Sequence, residues 1–166
     1  MAERFGPAAQ WMVLSDGLAR QGKKKEAANV LLSGLRQSPD DPNLWLGLAN
    51  ALVGNPGNAA VVEMTLSGIA FTVAAPACRI ALTGANMALA INGTPAQPHQ
   101  AHDLERGDTV TIGRAASGMR GYLAVAGGFD VAPVLGSVST HTRSRIGGLD
   151  GGPLGAGAVL KLKGAP

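Results

Sequence analysis

Arg120 stands in the stretch Ser117-Gly118-Met119-Arg120-Gly121-Tyr122, ahead of the apolar run Leu123–Ala126 and the pair Gly127-Gly128. A guanidinium beside a tight turn can grip a carboxylate or phosphate through two parallel hydrogen bonds. An arginine in that place can equally tie down its own loop, and the residues alone leave both roles open. Glu63 is a lone acid between Val62 and Met64. Strand alternation turns it away from those two and toward the face of Val61 and Thr65, where it is either solvated or an oriented site carboxylate. His141, Arg143 and Arg145 alternate with Thr140, Thr142 and Ser144. On a strand all three would share one face as a cationic strip for a phosphate or a bicarbonate-like anion; on a loop they are solvated. His99, His102 and Asp103 sit in Pro95–Arg106, expected to be a polar loop. Without a further well-spaced ligand they make a weak metal set, so no metal site is expected.

Other chemistries are excluded by what the chain lacks. No lysine occurs between Lys25 and Lys161. The glycine-rich segment Gly54–Ala60 therefore has no phosphate-loop lysine, and the β part ahead of Lys161 has neither a Schiff-base lysine nor a lysine to carry biotin. There is no G-x-S-x-G nucleophile elbow. Cys78 is the one cysteine, so no internal disulfide and no cysteine zinc site can form, and its place before an apolar strand suits a buried structural thiol. A net charge of +3 with only 4% aromatic residues does not suit a nucleic-acid partner. Met1–Arg4 leads into no long apolar segment, and no apolar run approaches the roughly 20 residues needed to span a bilayer. A cytoplasmic protein with no membrane partner is the expectation.

Two kinds of element must position these residues. Five glycines fall in residues 1–53 and nineteen in 54–166. The first segment is expected to be helical and the second β, joined at Gly54-Asn55-Pro56-Gly57-Asn58, five turn formers in a row. In the first, Trp11, Leu14, Leu18, Ala27, Leu31 and Leu35 recur at helical spacing. Gly22 separates two helices, and Ser38–Pro42 precedes a third over Asn43–Val53. Beyond the joint, strands are expected at 61–66, 69–73, 79–83, 87–91, 109–112, 121–126 and 158–162. Ser67-Gly68 and Asn92-Gly93 have hairpin-turn character, and Gly84–Asn86 is a further turn. Short strands with frequent turns indicate a barrel or sandwich.

The helices repeat. Trp11 and Trp45, Leu14 and Leu48, and Leu18 and Leu52 are each 34 positions apart, which is the tetratricopeptide period. Ala8–Val53 resembles one and a half such repeats, similar to those of cytochrome c maturation factors. About three repeats are usually needed to bury their apolar faces, so these helices must pack on something else. From about residue 52 the blocks LVGNPGNAAVVEMTL, IALTGANMALAINGTP, RGDTVTIGRAASGMRGYLAVAGGFDVAPVLGSVST and GGLDGGPLGAGAVLKL follow one another. In that order they resemble the carboxyltransferase-domain family of allophanate hydrolase subunit 2 and the C subunit of 5-oxoprolinase.

The resemblance implies an α+β chain: a helical hairpin of tetratricopeptide type (about three helices, residues 1–53), then a cyclophilin-like β-barrel, incomplete, over 54–166. The family's opening TVQDLGR-like and GAMD-like segments do not occur, its second barrel does not follow, and Gly151-Gly152-Pro153 stands where an arginine is usual. The implied function is that of a partial subunit of a biotin-dependent carboxyltransferase or 5-oxoprolinase type of enzyme, opening a cyclic amide at the expense of ATP. Its partner would be a subunit-1 type protein in a hetero-oligomer, with ATP bound through that complex and biotin arriving, if at all, as a carrier-borne substrate. Arg120 and Glu63 are the implied catalytic pair, with Tyr122, His141 and Arg143 binding a small amide substrate. The alternative is an inactive fusion whose helices bind a peptide or cover an exposed barrel edge.

Overall fold

The computed structural model describes residues 7–164; Met1–Arg4, where no secretory signal is expected, lies outside them. Three helices, α1 (Pro7–Arg20), α2 (Lys24–Gln37) and α3 (Pro42–Val53), precede six strands. These are β1 (Val62–Thr65), β2 (Ala70–Thr72), β3 (Ala77–Ile91), β4 (Thr94–Ala96), β5 (Ala101–Glu105) and β6 (Thr109–Val125). Among the described residues no helix is long and apolar enough to cross a membrane.

The helices pack on a core of Leu31, Leu35, Leu44, Leu48 and Ala51. Gly34 lets α1 close on α2, since a Cβ there would lie 2.8 Å from Trp11 Cγ. The start of α3 is fixed by Asp41, whose carboxylate accepts from the N–H groups of Asn43 at 2.9 Å and Leu44 at 3.4 Å, and by Pro42 in the first turn, where a missing N–H costs nothing. Leu14 and Leu48 hold equivalent repeat positions, yet Leu14 is 52% exposed and Leu48 1%. Leu48 sits inside the helical core with Leu31, Leu35 and Leu44, whereas Leu14 lies outside it. The face of α3 turned away from α2 lies on the sheet, where Ala49 and Val53 pack against Ala81, Tyr122 and Ala124. The Thr83 hydroxyl donates to the Trp45 carbonyl at 2.8 Å across the same junction. A short repeat is thus stabilised by a sheet face rather than by further repeats or by a barrel edge.

The incomplete barrel takes the form of an open, antiparallel six-stranded sheet. Its spine is the pair β3–β6. β1 and β2 pair with β6, while β4 and β5 pair with β3. Both spine strands are longer than the sequence pattern suggests. The expected strands 79–83 and 87–91 are one strand, and so are 109–112 and 121–126, because Gly84–Asn86 and Ser117-Gly118 are irregularities within the ladder rather than chain reversals. Gly84 (φ 91°) and Gly118 (φ 77°) supply the positive φ that such shifts require. Ser67-Gly68 does not close a hairpin either. β1 and β2 do not pair with each other but lie along separate parts of β6, with Thr65 opposite Arg120 and Ala70 opposite Thr111. Asn92-Gly93 does form the expected two-residue turn, with φ of 52° and 76°, joining Ile91 to Thr94. Pro95–Arg106, expected as a loop, contains most of β4 and all of β5. Ala158–Leu162 is not a strand. Beyond the single bridge of Phe129 to Leu162 it runs across the sheet, resting Leu160 and Leu162 on the core.

The sheet core contains Val62, Ile80, Leu82, Met87, Val110 and Leu123. Where α3 covers the other face, burial stops alternating: Ile80–Thr83 and Gly121–Val125 are buried throughout. Residues facing α3 and residues facing the core are then both shielded from water.

Candidate functional site

The site is built by strand register. Glu63 on β1 lies opposite Tyr122 on β6, and Thr65 opposite Arg120. Opposed residues share a face, and so do residues two apart on one strand. Glu63, Arg120 and Tyr122 therefore gather on the face that α3 covers, with Glu63 and Arg120 as diagonal neighbours. Their contact is 3.5 Å from Arg120 Nε to Glu63 Oε1, with the side chains 49% and 47% exposed. A pair this open adds little to stability; it aims the guanidinium and leaves its remaining N–H groups to be used.

Tyr122 is the buried member, 1% exposed. Its hydroxyl is shielded from solvent and has no hydrogen-bond partner among the described residues. Burial raises its pKa above the ordinary tyrosine value and the Glu63 carboxylate raises it further; the Arg120 guanidinium, which approaches the hydroxyl without the geometry of a formed hydrogen bond, opposes, and Asp41 adds a small rise. The ring fits because residue 84 is glycine. A Cβ there would collide with the Arg120 carbonyl and come within 3.1 Å of Tyr122 Cδ2.

Arg120 and Tyr122 line one side of a cleft of about 770 Å³, with Pro39, Asp40, Pro42 and Trp45 on the other; Glu63 is not among its lining residues and touches it only through Arg120. The Trp45 indole N–H donates to the Pro39 carbonyl at 2.7 Å. Its ring stacks on His99, with centroids 5.2 Å apart and planes 29° apart. His99 sits between β4 and β5 with φ of 61°, its N–H bonded to the Leu82 carbonyl at 2.7 Å.

Three of the expected residues, Arg120, Glu63 and Tyr122, thus meet. Arg120 does so from within a strand rather than beside a tight turn. His141, Arg143 and Arg145 do not form a strip. Residues 141–146 make a turn closed by a bridge from His141 to Ile146, with Arg145 at φ 52°. The chain reverses within it, the two-residue alternation is lost, and all three side chains are exposed. His141 Nδ1 accepts from the Ser144 N–H at 3.3 Å, so the turn uses one ring nitrogen. His102 and Asp103 are consecutive on β5 and point to opposite faces. Asp103 holds Arg79 through two hydrogen bonds of 2.6 and 3.0 Å, and His102 Nε2 lies 2.7 Å from the Gln97 carbonyl. Cys78 is buried on the opposite face, its pKa raised first by burial and then by Asp108. It borders an apolar cleft of about 850 Å³ beneath Leu154–Leu162.

Sequence patterns do not join Trp45 and His99. The first is absorbed as a repeat residue and the second is grouped with His102 and Asp103, and only the tertiary placement of α3 brings them together.

A family model described as "Carboxyltransferase domain, subdomain A and B" matches residues 40–166, and a tetratricopeptide repeat model matches residues 8–51. The two overlap on α3. The C subunit of 5-oxoprolinase from Escherichia coli is 40% identical over 117 residues, which is 70% of this chain and 37% of that protein. Urea amidolyase of Saccharomyces cerevisiae is 38% identical over 115 residues, 69% of this chain and 6% of that one. The crystal structure of Kluyveromyces lactis urea carboxylase superposes with a TM-score of 0.69 at 33% identity, covering 70% of this chain and 10% of that one. The chain therefore spans well under half the length of these relatives. With the family model matching most of its length, the chain belongs to the carboxyltransferase domain family, subdomains A and B.

Proposed function

We propose that the chain supplies one wall of a shared active site in an enzyme of the 5-oxoprolinase or urea carboxylase type, in partnership with a subunit-1 type protein. The observation that carries this is the pair Arg120 and Tyr122 in a cleft, with Glu63 against the guanidinium, built on the strands that match the family. Arg120 offers a forked donor to a carboxylate or a bicarbonate-derived anion. Tyr122, held protonated by burial, offers one O–H to an amide or carboxyl oxygen. Glu63 orients the guanidinium. His141 and Arg143, exposed on their turn, would contribute only where a partner surface meets that turn.

ATP does not fit the cleft's own donors. Its guanidinium is shared with Glu63, Asp40 also lines it, and no lysine stands between Lys25 and Lys161. ATP binding and hydrolysis are therefore assigned to the partner. Biotin, where it is used, would reach this chain as a carrier-borne substrate. A cytoplasmic location goes with this reading. The inactive-fusion alternative finds one support, that α3 covers a sheet face. That contact leaves α3 with little surface for an extended peptide.

Co-purification with a subunit-1 type protein, followed by assay of ATP hydrolysis dependent on 5-oxoproline, tests the proposal. A stable complex with substrate-dependent hydrolysis is the expected outcome. Failure to associate, or hydrolysis unaffected by this chain, would count against it.

A further inference from the structure

The helical segment contributes to the cleft directly. Trp45 sits in the part of α3 that belongs to both matched models, and its ring is fixed by the Pro39 carbonyl at one edge and by His99 on one face. Across the cleft lie a guanidinium at the rim and a buried hydroxyl with no partner among the described residues. Leaving a buried hydroxyl unpaired is costly, and a ligand oxygen would remove that cost. We infer that the Trp45–His99 stack is the binding wall for the flat body of a small carboxylate, whose charged end Arg120 holds and whose second oxygen accepts from Tyr122. The inference rests on the reading of Arg120 given above. It adds that the helices determine which ligand fits: a compact planar ring gains from the aromatic wall, and a flexible chain gains less. The cation–aromatic–hydroxyl arrangement also disfavours an uncharged analogue, which would forgo the charge-assisted hydrogen bonds that the remaining Arg120 N–H groups offer a carboxylate.

The test uses the full chain carrying Trp11→Phe, which leaves Trp45 as the sole tryptophan of the original two. The probes are 5-oxoproline and its uncharged carboxamide. Binding is followed by Trp45 emission and, independently, by calorimetry. Saturable binding of the acid with a change in emission, and none of the amide, is expected. His99→Asn keeps a residue tolerant of the positive φ and breaks only the stack; it should weaken binding about three- to tenfold. Trp45→Leu, checked for folding by near-ultraviolet circular dichroism, should weaken it at least as much. Arg120→Ala should abolish it. If both aromatic variants bind as the parent does while Arg120→Ala does not, the aromatic wall is wrong and the anion site stands. If the acid shows no saturable binding, the inferred wall falls; if Arg120→Ala binds as the parent does, the underlying reading of Arg120 falls as well.

Discussion

Tyr122 concentrates the account at the scale of single residues. Its hydroxyl is buried, unpartnered among the described residues and beside a carboxylate, so the folded chain holds its proton more tightly than the unfolded chain does. The sign of the pH dependence follows. Stability from this group is complete below the unfolded pKa of about 10 and is lost as pH rises through the higher folded value, at up to about 1.4 kcal/mol per pH unit for one proton. Cys78 acts in the same direction and begins earlier, because an ordinary thiol titrates near 8.5. Tyr122→Phe should therefore flatten the decline in denaturation midpoint above about pH 10 without altering the part due to Cys78. A profile for Tyr122→Phe that overlays the parent's would mean that the hydroxyl is not held as described. Glu63 and Arg120, half-exposed, contribute orientation and little stability.

At the scale of elements, the bends in the two long strands decide where the site lies. Gly84 sits at a φ of 91° and gives Tyr122 its space, so Gly84→Ala should cost about 2–4 kcal/mol through strain and collision with the Arg120 carbonyl. Urea denaturation measures this; a cost below about 0.5 kcal/mol would show that β3 and β6 are not as close as described. The same bends explain what the sequence reveals. The helices are legible because Trp11, Leu31 and Leu48 keep a helical period and Asp41-Pro42 is a strong start signal. Asn92-Gly93 is legible as a turn because both residues accept positive φ. Gly84 and Gly118 carry an equally strong turn signal but serve as irregularities inside continuous strands, which local chemistry does not distinguish from chain reversals. Glu63 and Arg120 are each legible as candidates, but their pairing depends on the register of β1 on β6, a long-range fact. The His141–Arg145 alternation misleads because a turn residue at Arg145 breaks the period that a strand would keep.

At the scale of the whole molecule, α3 belongs at once to the helical core and to the sheet. Asn55, just past its end, fixes the junction: its side-chain amide donates to the Val125 carbonyl at 2.7 Å and to Asn50 Oδ1 at 3.1 Å, while its oxygen accepts from the Gly127 N–H at 2.8 Å. Asn50, also buried, donates to the Ala59 carbonyl at 3.0 Å. These buried bonds hold α3, and Trp45 with it, at a set distance from the strands that carry Arg120 and Tyr122. The composition change near Asn55 thus marks a seam in the sequence across which the cleft is assembled. The most direct measurement is the rate of 5-oxoproline-dependent ATP hydrolysis by the complex with a subunit-1 type partner, comparing Arg120→Ala with Arg114→Ala, an exposed arginine on the same strand. Loss of a charged hydrogen bond of up to about 3 kcal/mol predicts a fall in kcat/KM approaching a hundredfold for Arg120→Ala and a change within about twofold for Arg114→Ala. Equal rates for Arg120→Ala and the parent would contradict the assignment of the cleft as the site.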